Sequence, residues 1–260
     1  MNQHTPPALP WARLLVFGEP GAGKTFSSCL AKDLAVVALE RQGLGSVYAA
    51  NPQAAVHTIG PGPEAWSSFW KTSVLELAES HRVLVFDSLT RAHSRNLDTV
   101  SAKRIGGRSA DAAGAARAAA HEKVIFANKL DLTEQDYGRA HRWTNRQLEI
   151  LEDLPCHVIA VAHCRLTRAG SGLKASPYIG AQKINDSFHL HRRFSGVGFL
   201  HHCRKSGKRT CRWTSRELSI SGKQVQVGGK EHAFLPEAGP PEATTWLHKF
   251  DNMIERLEKT

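Results

Sequence analysis

Residues 13–25 read RLLVFGEPGAGKT. Arg13 to Phe17 is a short buried strand, and it runs directly into GEPGAGKT at 18–25. The octapeptide is a complete GxxxxGK[ST] motif standing between an expected strand and an expected helix, the setting in which that pattern cradles phosphate. Its residue types explain its chemistry. Glycines let successive main-chain N–H groups turn toward one anion, and the helix start adds positive potential. Lys24 reaches the β and γ phosphates, and the Thr25 hydroxyl is offered to Mg²⁺. The expected nucleotide-binding residues are Gly18, Glu19, Pro20, Gly21, Ala22, Gly23, Lys24, Thr25 and Phe26, with a nucleoside triphosphate and Mg²⁺ as cofactors.

Downstream, the pattern predicts a helix from Lys24 to about Glu40, stopped by Gly43 and Gly45. SVYAA at 46–50 reads as a second strand, and Pro61-Gly62-Pro63 punctuates the loop after it. Residues 64–80 place Trp66, Phe69, Trp70, Val74 and Leu77 near helical spacing. These side chains serve as core or as a stacking platform, and the usual burial of such residues favours core. The strand RVLVF at 82–86 ends in Asp87-Ser88. A carboxylate there can hold Mg²⁺ opposite Thr25, or cap the turn. From about Arg91 to Gln135 the pattern loosens, and a long mobile loop is expected. A helix resumes with Asp136 as N-cap and runs through Trp143, Leu148 and Leu151 to Leu154, where Pro155 closes it.

HVIAVA at 157–162 is a buried strand ending in His163, whose imidazole either senses the γ phosphate or is structural. A loose basic loop is expected over 164–183. Strand candidates follow at 184–191, 197–203 and 209–213, and Pro240-Pro241 opens a final amphipathic helix. The alternation of aliphatic strands with polar helical stretches predicts an α/β fold with a mostly parallel central sheet.

The 260 residues carry 34 Lys and Arg against 24 Asp and Glu, a formal charge of +10. That excess suits a polyanionic partner, although it also serves solubility. Collagenous, coiled-coil and wholly disordered chains are excluded by the aliphatic runs. No apolar run approaches the ~18 residues of a membrane span. Five cysteines without CxxC spacing predict reduced thiols, and the N-terminal MNQHTPPALPW lacks a secretory pattern. The expected location is a cytosol.

The order of parts, namely the P-loop, VLVFDS, a long loop, DYGRAHRW leading a helix, LPCHVIAVAH and a glycine-containing basic loop, resembles the RecA-like ATPases. It looks most like phage nucleotide-binding proteins that include single-strand annealing recombinases, and a phage origin would make the location the cytoplasm of a bacterial host. The resemblance covers roughly residues 11–194 as a RecA-like P-loop NTPase core, and the residue pattern adds a flexible tail at 1–10, a β-hairpin extension at 195–235 and a terminal helix at 236–260. The resemblance implies catalytic roles for Lys24, Asp87 and His163, with ATP as the nucleotide and Mg²⁺ held by Thr25 and Asp87. It makes the segments after VLVFDS and after His163 DNA-binding loops. Their contacts would be Lys103, Arg104, Arg108 and Arg117, then Arg165, Arg168, Lys174, Tyr178 and Lys183. Spaced cations with one aromatic suit a single-stranded backbone and a stacked base, although solvated loops also carry incidental charge. Fingers from a neighbouring subunit would come from Lys183, Arg192 or Arg193. The implied partners are single-stranded DNA, further copies of the chain and a single-strand-binding protein.

One departure stands out. RecA-like enzymes place a catalytic glutamate just beyond the second core strand, where VYAANPQ holds none. Glu19, Asp136 or a water-positioning Asn51 would have to substitute, or the chain binds nucleotide without turning it over. Two further patterns compete. NKLD at 128–131 matches the guanine-recognition element of a GTPase switch, but the DxxG that should follow Asp87 is missing. His201, His202, Cys203 and Cys211 flank a turn, at spacings that fit no familiar zinc site. The favoured reading is an ATPase that binds single-stranded DNA and promotes annealing or strand exchange.

Overall fold

The computed structural model describes residues 11–108, 132–169, 172–180, 193–194, 196–202, 209–213, 216–220, 223–227 and 231–233. The sheet is built around β1 (Arg13–Gly18), β2 (Leu34–Ala38), β3 (Ala55–Thr58), β4 (Val83–Asp87) and β5 (His157–Ala169). Four more strands complete it: β6 (Gly172–Tyr178), β7 (Gly196–His202), β8 (Arg209–Trp213) and β11 (Glu231–Ala233). The spatial order is β11-β8-β7-β1-β5-β4-β2-β3, with β6 attached to β5. From β7 to β3 every pairing is parallel, whereas β6, β8 and β11 pair antiparallel. The remaining strands, β9 (Arg216–Ile220) and β10 (Lys223–Val227), form a separate hairpin.

Helices cover both faces, which is why the central strands are continuous apolar runs. One face carries Leu15, Phe17, Val37, Leu84 and Phe86 against α3 (Pro63–Ser68), a π-helical turn (Phe69–Ser73), α4 (Val74–Ser80), α5 (Leu89–Arg108) and α6 (Glu134–Asp153). The other carries Leu14, Val16, Val36, Val85 and Ile159 against α1 (Lys24–Ser28) and α2 (Leu44–Ala50). The expected aromatic core of 64–80 is buried, with Trp66 and Phe69 only 3% and 4% exposed.

The sequence reading is corrected at four places. The run LAVVA at 34–38 is β2 rather than helix. Asp33 stands before it with φ 49°, which ends helical geometry, and all five strand residues are buried. A strand buried on both faces has no alternation to distinguish it from a buried helix. SVYAA is accordingly not the second strand but part of α2, with Val47 inward and Tyr48 exposed. The supposed loop after Asp87 begins as the 20-residue helix α5. Its buried residues include His93, Asn96, Thr99 and Ser101, so hydrophobic periodicity could not reveal it. His93 and Asn96 are satisfied by α6, and Thr99 Oγ1 donates to the Arg95 carbonyl of its own helix. Asn96 bonds Thr144 and Gln147 at 2.9 and 2.8 Å, Trp66 Nε1 donates to Asn96 Oδ1 at 2.7 Å, and His93 Nδ1 lies 2.8 Å from Thr144 Oγ1. Such a network contributes about 1 kcal/mol net per bond, but costs more if half broken. Last, 164–169 and 172–178 are strand rather than loop. β5 continues past His163 and folds back as β6.

β7 lies inside the sheet, parallel to β1, so the expected boundary between 194 and 195 falls within the sheet. The N-terminal tail, the strand candidate 184–191 and the terminal helix lie outside the described residues. Among the described residues no helix is long and apolar enough to cross a membrane.

Candidate functional site

Parallel strands bring their carboxyl ends to one edge, where ligands bind in open α/β sheets. Gly18 stands in register with His163 on one side and Leu200 on the other, and Asp87 stands level with Val161 and Ala38. Backbones close tightly here. A methyl group on Gly18 would lie 2.2 Å from the Leu200 carbonyl oxygen. Gly23 turns the chain at φ 91° into α1. That helix has only five residues, so its dipole is small and the cradle depends on unpaired first-turn amides and on Lys24. Lys24 Nζ donates to the carbonyls of Gly18 and Glu19, both at 2.9 Å. The Thr25 hydroxyl donates to Asp87 Oδ2 at 2.7 Å, which joins the two residues expected to hold Mg²⁺.

The sequence reading missed Glu40. Because β2 is 34–38, the residue just beyond the second core strand is not Asn51 but Glu40. The Leu39 amide donates to the Asp87 carbonyl at 2.7 Å and carries Glu40 across the front of β4. Glu40 Oε1 accepts from Ser88 Oγ at 2.6 Å and lies 3.2 Å from His163 Nε2. The corrected strand therefore brings a carboxylate to the place where the sequence reading found none. The signal was available as six apolar residues, Leu34 to Leu39, ending in one acid.

Burial sets the charge states. It pushes the Asp87 carboxyl above its ordinary range, an effect only partly offset by the Thr25 bond and by Lys24. It lowers the Lys24 ammonium, against the pull of Asp87 and Glu40. Glu40 moves the other way. The His163 hydrogen bond, aided by Ser88 and Arg91, holds it below the usual carboxylate range despite burial.

The other expected candidates, Asp136, Asn51 and Glu19, have local partners of their own. Asp136 is not the N-cap but the N3 residue of a capping box whose N-cap is Thr133. Its Oδ2 accepts from the Thr133 amide at 3.0 Å and from the Thr133 hydroxyl at 2.9 Å. Asn51 holds the Ala31 carbonyl at 3.0 Å and accepts from the Gln53 amide at 3.0 Å. Glu19 sits in the P-loop with its carbonyl on Lys24.

Lys103, Arg104 and Arg108 lie along the last turns of α5 rather than in a loop. Arg165, Arg168, Lys174 and Tyr178 lie on the β5–β6 hairpin, where Arg165 and Tyr178 are exposed beside His163. Arg193 is bound within its own chain, to Glu152 at 2.9 Å and Glu149 at 3.7 Å. Both are on the last turns of α6, at the end of the sheet opposite the P-loop. Arg117, Lys183, Arg192, Cys203 and the NKLD stretch lie outside the described residues, and nothing is described of the side chains of His201, His202 and Cys211. Among the described residues no group of His, Cys, Asp and Glu is arranged to hold a metal by itself.

The residues present fit a magnesium nucleotide. A β-carbon at Gly43 would come 3.3 Å from Asp87 Oδ2 and 3.5 Å from Thr25 Cγ2, so the absent side chain keeps open the space beside the Thr25–Asp87 pair. The donor set of hydroxyl, carboxylate and ammonium suits a hard cation and its phosphates.

A family model described as an AAA domain, AAA_24, matches residues 11–223. Among solved structures, the chain is similar to a KaiC-like protein from the hyperthermophilic archaeon Pyrococcus horikoshii OT3, at 14% identity and a TM-score of 0.43, covering 88% of this chain and 86% of that one. It is also similar to the RadB recombinase, at 15% identity and a TM-score of 0.45, covering 88% and 90%. No curated protein matches.

Proposed function

The chain belongs to the AAA_24 family, an AAA domain, and on that premise we propose that it binds ATP with Mg²⁺ at residues 18–26 and hydrolyses it with Glu40 as general base. Lys24 would leave the Gly18 and Glu19 carbonyls for the phosphates, while Thr25 and Asp87 hold the metal. Bound Mg²⁺ supplies positive charge against the charge that develops on phosphate. His163 and Ser88 both engage Glu40 Oε1, which orients the carboxylate and leaves Oε2 to take the proton of the attacking water. The observation that carries this reading is the pair of carboxylates on neighbouring strands, Asp87 on Thr25 at 2.7 Å and Glu40 on Ser88 at 2.6 Å.

Turnover would serve to grip and release single-stranded DNA, in annealing or strand exchange by a homo-oligomer working beside a single-strand-binding protein. Supporting this are the net charge of +10, the cations of the α5 end, and exposed Arg165 and Tyr178 on the hairpin. The phage-recombination setting rests on the sequence resemblance.

The test is phosphate release with ATP or GTP, with and without single-stranded DNA. We expect ATP to be preferred, and Glu40→Gln to lower turnover by ~10²–10³ while ATP affinity stays within about threefold. Equal turnover in the variant removes Glu40 from the reaction, and a preference for GTP moves the reading to a GTPase. Strand retention that does not weaken as salt rises would discard the DNA half.

A further inference from the structure

Thr90 lies on the first turn of α5, three residues beyond Asp87. A hydroxyl has one proton to give and lone pairs to accept with. At Thr90 both capacities go to the β5–β6 hairpin rather than to its own helix. Oγ1 accepts the His163 amide at 2.9 Å and donates to the Tyr178 carbonyl. His163 and Tyr178 are directly paired across the root of that hairpin. One side chain thus ties both hairpin strands to the segment that starts with the Asp87 carboxylate. The same His163 places its imidazole on Glu40.

We propose that Thr90 is a positioning residue that couples the nucleotide site to the β5–β6 hairpin. This rests on the nucleotide reading above and adds the route by which that site reaches the strand-binding face. A shift of the α5 first turn would move the root of both strands together, since neither can follow its own path while both are bonded to one atom.

The experiment uses the full chain, with AMP-PNP and Mg²⁺ as the probe. Thr90→Val keeps the branched shape and removes both bonds, whereas Thr90→Ser keeps the hydroxyl. In wild type and Thr90→Ser, the analogue is expected to slow amide hydrogen exchange along 163–178. In Thr90→Val that response should vanish and the His163 amide should exchange ~10-fold faster, with AMP-PNP affinity by calorimetry within about twofold of wild type. An undiminished response in Thr90→Val overturns the proposal. So does a wild-type chain that binds the analogue without any change along 163–178. A wild-type chain that does not bind it overturns the nucleotide reading itself, and this inference with it.

Discussion

At the amino end of the sheet Arg13 is 7% exposed, and its guanidinium donates to the carbonyls of Ala12, Glu152, Leu154 and Cys156. These include the carbonyls left over where α6 ends, so a buried cation is repaid by the orphan acceptors of a helix C-terminus. At the carboxyl end Asp87 is buried and Lys24 and Glu40 are half-buried, but their hydrogen-bond partners are only two backbone carbonyls and the side chains of Thr25, Ser88 and His163. The first arrangement is closed and serves stability. The second holds an ammonium and a carboxyl, Lys24 and Asp87, that burial pushes toward neutrality with few fixed partners, the condition in which a ligand of opposite sign or a metal gains most from binding.

This contrast can be broken experimentally. The largest effect should be on the ligand side. Lys24→Ala is expected to weaken triphosphate binding by ~10³-fold, read by calorimetry, with the melting temperature nearly unchanged. A large loss of stability would mean that the lysine is structural like Arg13. Next comes the closed end. Arg13→Met removes the side-chain donor from the Glu152, Leu154 and Cys156 carbonyls, while Ala12 keeps the Val158 amide, and should cost about 3 kcal/mol, lowering Tm by about 10 °C without altering nucleotide affinity. The smallest effect sharpens the difference most. Asp87→Asn keeps an acceptor for Thr25 but removes a charge that burial penalises, so stability should rise by about 1 kcal/mol at pH 7. The sign follows from the raised carboxyl. Its penalty is full above the folded pKa and fades as pH falls toward the unfolded value, so the gain should disappear in acid melts. Metal-dependent nucleotide affinity should be lost in the same variant.

Much of the site was legible because its chemistry is written in local spacing. GEPGAGKT, an acid ending RVLVF and a histidine ending HVIAVA are each readable without knowing their neighbours. Glu40 was hidden by one error of phase. With 34–38 taken as helix, the second strand moved downstream to SVYAA, and a carboxylate that ends an apolar run became a helix terminus. α5 was hidden for a different reason. Helix detection relies on an apolar stripe, whereas the buried face here carries His93 and Asn96, bonded to Thr144 and Gln147. The polar, glycine-containing 164–178 gave no apolar face to follow, yet it pairs residue by residue as a hairpin.

The α/β class, the phosphate cradle and the strand-end acid and imidazole follow from the order of residues along the chain, since they depend on backbone freedom and on side-chain types a few positions apart. Which carboxylate faces the cradle, which hydroxyl bonds the hairpin root and which cation is spent on a helix end depend on strand order. Glu40, Ser88 and His163 lie 48 and 75 positions apart in turn, and they meet because parallel pairing sets their strands side by side with carboxyl ends level.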